Sequence, residues 1–190
     1  AVAILQLAEQ GKLNLQDELT KFIPDYPVQG NRITIEHLLT HTSGIRNFSG
    51  MNNGDPQRGR RDLTPVAMID YFKNEPLRFT AGTKWEYSNS GYFLLGYIIE
   101  KITNIPYGQY IEENIFKPAG MENTLYANDI QIVENRVNGY SIGDNGIENA
   151  AFISMTQPYA AGAVESTVED LFKWQQALLS GKLLNKETID

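Results

Sequence analysis

The sequence predicts a mainly α fold with a small β-hairpin, and three observations carry that prediction. Apolar residues recur at helical spacing in several segments, those segments open at Ser, Thr or Asn and close at Gly or Pro, and one stretch switches to a ribbon pattern around Asn145-Gly146. With 190 residues the chain is long enough to bury a substantial core, so residues 1–190 are expected to form a single helical domain.

Residues 1–10, Ala1-Val2-Ala3-Ile4-Leu5-Gln6-Leu7-Ala8-Glu9-Gln10, read as the later turns of an apolar helix that Gly11 closes in left-handed backbone. Two prolines, Pro24 and Pro27, then impose an extended or turning path. Thr34 is an N-cap for a helix of about two turns, with Ile35, Leu38 and Leu39 as its apolar stripe and Gly44 as its stop. A polar loop over 46–63 contains Asn47, Ser49, Asn52, Asn53, Gly54, Asp55 and Pro56; its Arg58, Arg60 and Arg61 read as a solvated face, with a substrate carboxylate as the less favoured use.

Thr64-Pro65 opens the next helix as cap and first residue, with Val66, Met68, Ile69 and Phe72 inside. Asn89 or Ser90 caps a long helix whose Leu94, Leu95, Ile98, Ile99 and Ile102 are apolar, and Asn104-Ile105-Pro106 breaks it. A helix over 107–116 turns Tyr107, Tyr110, Ile111 and Ile115 inward and ends at Lys117-Pro118-Ala119-Gly120. The hairpin over 136–152 follows, and the small side chains of Ala160-Ala161-Gly162-Ala163 suit close backbone approach. Ser166-Thr167-Val168-Glu169 is a capping box opening a helix that runs through Leu171, Trp174, Leu178 and Leu179 to Gly181. Asn185 would cap a further helix that begins as the chain stops, and no cap precedes Ala1. Both edges read as cuts, so the expectation is a piece truncated at both ends, with any signal peptide upstream.

Composition excludes several function classes. A net charge of −7 argues against nucleic acid or an anionic membrane surface as partner, since both select a cationic face. No run of 18 apolar residues is present that would make a membrane span. With no cysteine there is no thiol catalysis, disulfide or thiolate metal site. His37 and His41 lie four apart, the spacing of two zinc ligands on one helical face. A zinc peptidase places Glu directly after the first His; here that residue is Leu38, and no third ligand is evident. The preferred reading leaves both histidines structural and expects neither metal nor other cofactor. A metal-binding protein using them is one alternative.

The stretch Lys84-Trp85-Glu86-Tyr87-Ser88-Asn89-Ser90-Gly91-Tyr92 carries the chemistry. In extended backbone, residues two apart face the same way, so Tyr87 and Asn89 share one space. A phenol can donate, accept or relay a proton, and a carboxamide can hold a substrate carbonyl or an ammonium. A second Tyr-x-Asn, Tyr126-Ala127-Asn128, has no helix start behind it and is set aside.

The order of segments resembles one family, the serine β-lactamase-like hydrolases, which include class C β-lactamases, DD-peptidases and related esterases. The resemblance rests on Ala3-Ile4-Leu5-Gln6-Leu7 through Gly11-Lys12-Leu13, on residues 33–44 ending His41-Thr42-Ser43-Gly44, on Tyr87-Ser88-Asn89-Ser90-Gly91-Tyr92, on Pro118-Ala119-Gly120-Met121, and on Ala161-Gly162-Ala163-Val164 with Glu169-Asp170-Leu171. It implies the helical subdomain of the β-lactamase/penicillin-binding-protein-like α+β fold. It also implies catalysis through an acyl-enzyme on a small-molecule or peptide substrate, with Tyr87 and Asn89 catalytic, in a bacterial periplasmic or secreted setting.

The family's nucleophile stands in Ser-x-x-Lys and its third motif is Lys-Thr-Gly or His-x-Gly. Neither pattern occurs here: Ser43 is followed three residues on by Arg46, and Ser180 by Leu183. The resemblance therefore places the nucleophile before Ala1 and the third motif after Asp190, in flanking segments of a parent chain. A free phenol is protonated at neutral pH; the family's flanking ammonium groups favour the phenolate, and without them the 190 residues alone are expected to be inactive. A catalytically silent member of the same fold, used for binding or regulation, is the other alternative.

Overall fold

The apolar run after the Tyr-Ser-Asn stretch becomes the axis of the molecule. In the computed structural model, which describes residues 1–51, 55, 57–144 and 146–189, it forms α5 (Asn89–Thr103). Phe93, Leu94, Leu95, Ile98 and Ile99 are buried around α5 on more than one face. A helix apolar on so wide an arc must be enclosed, and α5 is ringed by α1 (Val2–Glu9), α2 (Leu19–Phe22), α3 (Ile35–Leu39), α4 (Pro65–Phe72) and α6 (Tyr107–Ile111). Ile4, Leu7, Leu19, Ile35, Leu38, Met68 and Phe72 close the core from those neighbours. Each such side chain contributes about 1.5–3 kcal/mol of burial.

Gly96 lies where the chain over 159–161 crosses α5. A Cβ there would meet the Cβ of Ala160 at 2.2 Å and the Tyr159 ring at 2.8 Å, so only glycine permits the contact. This is the close approach expected of the small residues over 160–163. α5 ends at Asn104 in left-handed backbone (φ 55°), and Tyr107 N–H then donates to Glu100 Oε1 at 2.8 Å before α6 begins. α6 passes through a π turn (Glu112–Phe116) into α7 (Lys117–Ala119), so the helix expected over 107–116 is present with a widened turn.

The sheets are small. β1 (Leu125–Tyr126) pairs antiparallel with β4 (Val164–Glu165), a ladder that two-residue strands leave invisible in sequence. β2 (Tyr140–Gly143) pairs antiparallel with β3 (Gly146–Asn149), the expected hairpin, with Ile142 opposite Ile147. Its turn residue Asn145 lies outside the described residues, as do Asn52, Asn53, Gly54 and Pro56 of the polar loop and Asp190.

Four expectations are corrected. α3 stops at Leu39 instead of running to Gly44, because His41 takes left-handed backbone (φ 57°) and Thr42 N–H returns to the His37 carbonyl at 2.9 Å. The helix of α5 starts at Asn89 after Ser88, whose side chain makes no cap bond; the cap comes from another segment, as Asn89 N–H donates to Asn47 Oδ1 at 3.2 Å. α8 (Val168–Leu179) is capped by Thr167 and not by Ser166, one residue later than the motif suggested, with Asp170 N–H donating to Thr167 Oγ1 at 3.2 Å. On α8, Asp170 and Ala177 are buried, Trp174 and Leu178 are partly covered, and Leu171 and Leu179 face outward. On α4, Val66 faces outward at 52% exposure instead of lying inside, because the buried stripe runs through Met68, Ile69 and Phe72. The short α2 and the terminal α9 (Lys186–Ile189) complete the chain.

Candidate active site

The site forms where three segments meet: the turn after α3, the polar loop, and the extended residues leading into α5. Tyr87 Oη donates to Asn89 Oδ1 at 2.9 Å, so the two residues singled out by spacing do share one space. Tyr87 is 51% exposed, and its phenol stands at an open mouth. Asn89 is fixed from behind: its N–H donates to Asn47 Oδ1, and its Nδ2 donates to Ser49 Oγ at 3.2 Å. Asn47 Oδ1 also accepts from Ser49 N–H at 3.2 Å and Ser49 Oγ at 3.0 Å, which locks the loop to the start of α5. One residue on, buried Ser90 donates from Oγ to the Arg46 carbonyl at 2.7 Å and accepts from Phe48 N–H at 3.0 Å. An Asn amide whose acceptor and donor are both engaged by neighbours cannot swing, and that is the preorganisation a substrate-orienting group needs.

His41 grips the other side of Tyr87. Its carbonyl accepts from Glu86 N–H at 3.0 Å, and its Nδ1 accepts from Ser88 N–H at 3.2 Å. The ring lies 4.6 Å from the Tyr87 ring and 5.0 Å from Tyr92, with Trp85 edge-on at 6.2 Å. Partial burial pushes the His41 pKa below its ordinary value, consistent with a neutral ring whose proton is on Nε2. Left-handed backbone at a non-glycine residue costs about 1–3 kcal/mol. Burial raises the Tyr92 phenol, which stays protonated and donates to the Leu39 carbonyl at 3.1 Å.

The pairing of His37 with His41 on one helical face does not occur. α3 ends between them, and each Nδ1 is already occupied: His37 Nδ1 accepts from Thr34 N–H at 3.3 Å in a reciprocal cap. Among the described residues no group of three or more His, Cys, Asp or Glu could hold a metal ion. The loop arginines divide. Arg61 pairs with Asp55 at 2.9 Å, while the Arg58 guanidinium stacks 3.5 Å above Tyr71. The second Tyr-x-Asn is structural: Tyr126 packs against Tyr107 and Tyr159, and Asn128 Oδ1 accepts from two backbone N–H groups.

One hollow opens beside the pair, and a second lies apart from it. A cavity of about 440 Å³ opens beside Asn89, walled by Phe48, Met51, Arg58, Ile153 and Pro158. An apolar groove of about 220 Å³ runs along the leading end of α1, lined by Ala1, Val2, Tyr92, Leu95 and Trp174.

Residues 1–190, the whole chain, match the family model described as Beta-lactamase. The chain belongs to the beta-lactamase family. A Bacillus subtilis (strain 168) relative, PbpX, named as a penicillin-binding protein, is 34% identical over 190 residues, which is 100% of this chain and 46% of that protein. A D-stereospecific amidohydrolase from Streptomyces sp. superposes with a TM-score of 0.89 at 28% identity, covering 99% of this chain and 60% of the other. The D-amino acid amidase from Ochrobactrum anthropi SV3, in complex with L-phenylalanine amide, gives 0.87 at 26% identity, covering 99% and 54%. This beta-lactamase-family chain thus spans about half the length of the relatives it matches.

In this family member the elements that sequence reasoning missed are Asn47 and Ser49. Both lie in an aperiodic polar loop, and nothing in that loop's composition tells a residue that ties to Asn89 from one that faces water.

Proposed function

We propose that these residues form one wall of the acyl-transfer pocket of a serine hydrolase that cleaves β-lactam, ester or D-amino-acid amide bonds, with the amide class favoured. The observation that carries the reading is the Tyr87 Oη to Asn89 Oδ1 contact of 2.9 Å at an open mouth beside a cavity, within a chain of the beta-lactamase family. The preference for D-amino-acid amides rests on the titles of the two solved relatives, a D-stereospecific amidohydrolase and a D-amino acid amidase.

In this reading the attacking serine lies in sequence outside the 190 residues. Its oxygen bonds to the substrate carbonyl carbon as the carbon–nitrogen or carbon–oxygen bond breaks. In its phenolate form, which the flanking ammonium groups of the longer protein would favour, Tyr87 accepts the hydroxyl proton and passes it to the departing group, and water then releases the acyl group by the reverse relay. Asn89 orients the substrate's amide, since Ser49 holds its side-chain amide and Asn47 its backbone N–H. An envelope or secreted location is part of the same proposal.

The test compares the 190-residue chain with the longer protein expected to carry it, using a chromogenic β-lactam and a D-alanyl anilide. The longer protein turns substrate over and accumulates an acyl adduct visible by mass spectrometry; the short chain does neither. Tyr87→Phe in the longer protein lowers kcat/KM by roughly 10²–10⁴ with an unchanged circular dichroism spectrum. Turnover by the short chain, or full activity of Tyr87→Phe, overturns the reading.

A further inference from the structure

The motif residue His41 is used by no step above, yet it contacts the residues on both sides of Tyr87 as well as the Tyr87 ring. Its backbone carbonyl takes the N–H of Glu86, the residue before Tyr87. Its ring nitrogen takes the N–H of Ser88, the residue after. The ring face lies against the Tyr87 ring at 4.6 Å and is backed by Tyr92 at 5.0 Å. The chain is therefore held on both sides of the phenol by one residue, and the third contact sets the ring's tilt.

We propose that His41 is the positioning residue of the Tyr87–Asn89 pair, and that protonation of its imidazole releases the pair. The inference rests on the hydrolase reading for its catalytic consequence but not for the grip itself. Nδ1 can accept from Ser88 N–H only while it carries no proton. Once protonated it presents N–H to N–H, the Ser88 bond is lost, and a donor that was paired on the protein is left facing another donor. The titratable groups the ring faces are the phenols of Tyr87 and Tyr92. The nearby charges of Glu86 and Arg78 are paired with each other at 3.2 Å, and among the described residues no carboxylate pairs with the His41 ring. Activity therefore falls on the acid side as the imidazole takes its proton, below the ordinary histidine value of about 6.5.

Two substitutions separate the parts of the grip. His41→Asn keeps an acceptor where Nδ1 stands, because Oδ1 occupies the same place on Cγ, and asparagine tolerates the left-handed backbone that histidine holds at φ 57°. His41→Phe keeps the aromatic face and removes the acceptor. In the full protein, wild type is expected to show an acid limb in kcat/KM for the D-alanyl anilide. The Ser88 amide proton, followed by NMR, moves with the same midpoint as the His41 ring. His41→Asn abolishes that limb, stops the Ser88 titration and keeps kcat/KM within about threefold at pH 7.5. His41→Phe lowers kcat/KM roughly tenfold at that pH, mostly in kcat, the loss a small misplacement of a reacting group produces.

The proposal is overturned if the Ser88 amide ignores the titration of His41, if His41→Asn keeps the acid limb, or if His41→Phe equals wild type. Should the protein lack hydrolase activity while the Ser88 amide follows His41, the grip stands and the hydrolase reading falls.

Discussion

Residues 41–49 and 85–92 hold one another through polar side chains that reach across the fold, whereas α8 and the β2–β3 ribbon turn apolar side chains to solvent. At the site, Ser90, Asn47 and His41 each tie to backbone more than 40 residues away. On the ribbon, Ile142 and Ile147 face each other across the two strands at 91% and 81% exposure. Along α8, Val168, Leu171, Phe172 and Leu179 form an exposed stripe at helical spacing. Residue type alone would rank these regions the other way round. What separates them is whether the segment packs against α5.

The sharpest way to break the contrast is to remove the floor of the site. Phe93 is fully buried and its ring contacts Phe48, Phe72 and Tyr159. Phe93→Ala is expected to cost about 3–5 kcal/mol, read from the denaturant midpoint, because the cavity it leaves cannot collapse against a central helix. It also loosens the loop carrying Asn47 and Ser49, since Phe48 lies between them.

An intermediate effect belongs to the one buried charge of α8. Burial works to raise the Asp170 pKa, but hydrogen bonds from Lys173 Nζ at 2.8 Å, Asn123 N–H at 2.7 Å and Thr124 Oγ1 at 3.0 Å hold it below the ordinary carboxylate value. A depressed carboxylate stabilises the fold above its unfolded pKa of about 3.9, and loses that contribution as pH falls through the lower folded value. Asp170→Asn is expected to cost about 1.5–3 kcal/mol at pH 7. The gap to wild type narrows in denaturation curves taken below pH 4, and a gap independent of pH would show that the charge is not what anchors α8.

The smallest effect falls on the ribbon. Ile142→Ser and Ile147→Ser are each expected to change stability by no more than about 0.5 kcal/mol, since neither side chain leaves water on folding. A larger loss in the thermal unfolding midpoint would mean that the ribbon is covered in solution.

Much of this fold is readable in one dimension. The caps at Thr34 and Thr64, the apolar run of α5, the break at Asn104 and the small residues that meet Gly96 are local signals with local physical causes. The Tyr87–Asn89 contact was legible as well, because alternation in extended backbone places residues two apart together whatever surrounds them. The one-residue shift of the α8 cap was not. Ser166 is the better cap by type, yet Thr167 takes the place, with Asp170 N–H on its Oγ1 and the Asp170 carboxylate on Asn123 and Thr124.

The sequence by itself determined where the main helices lie, the family and the proximity of Tyr87 to Asn89, all of which depend on chemistry within a few bonds along the chain. Tertiary structure alone decided that Asn47 caps α5, that Ser49 holds Asn89 and that His41 clasps Tyr87 instead of pairing with His37. A hydrogen bond between segments 40 residues apart depends on where packing brings the backbone, and no spacing along the chain encodes that position.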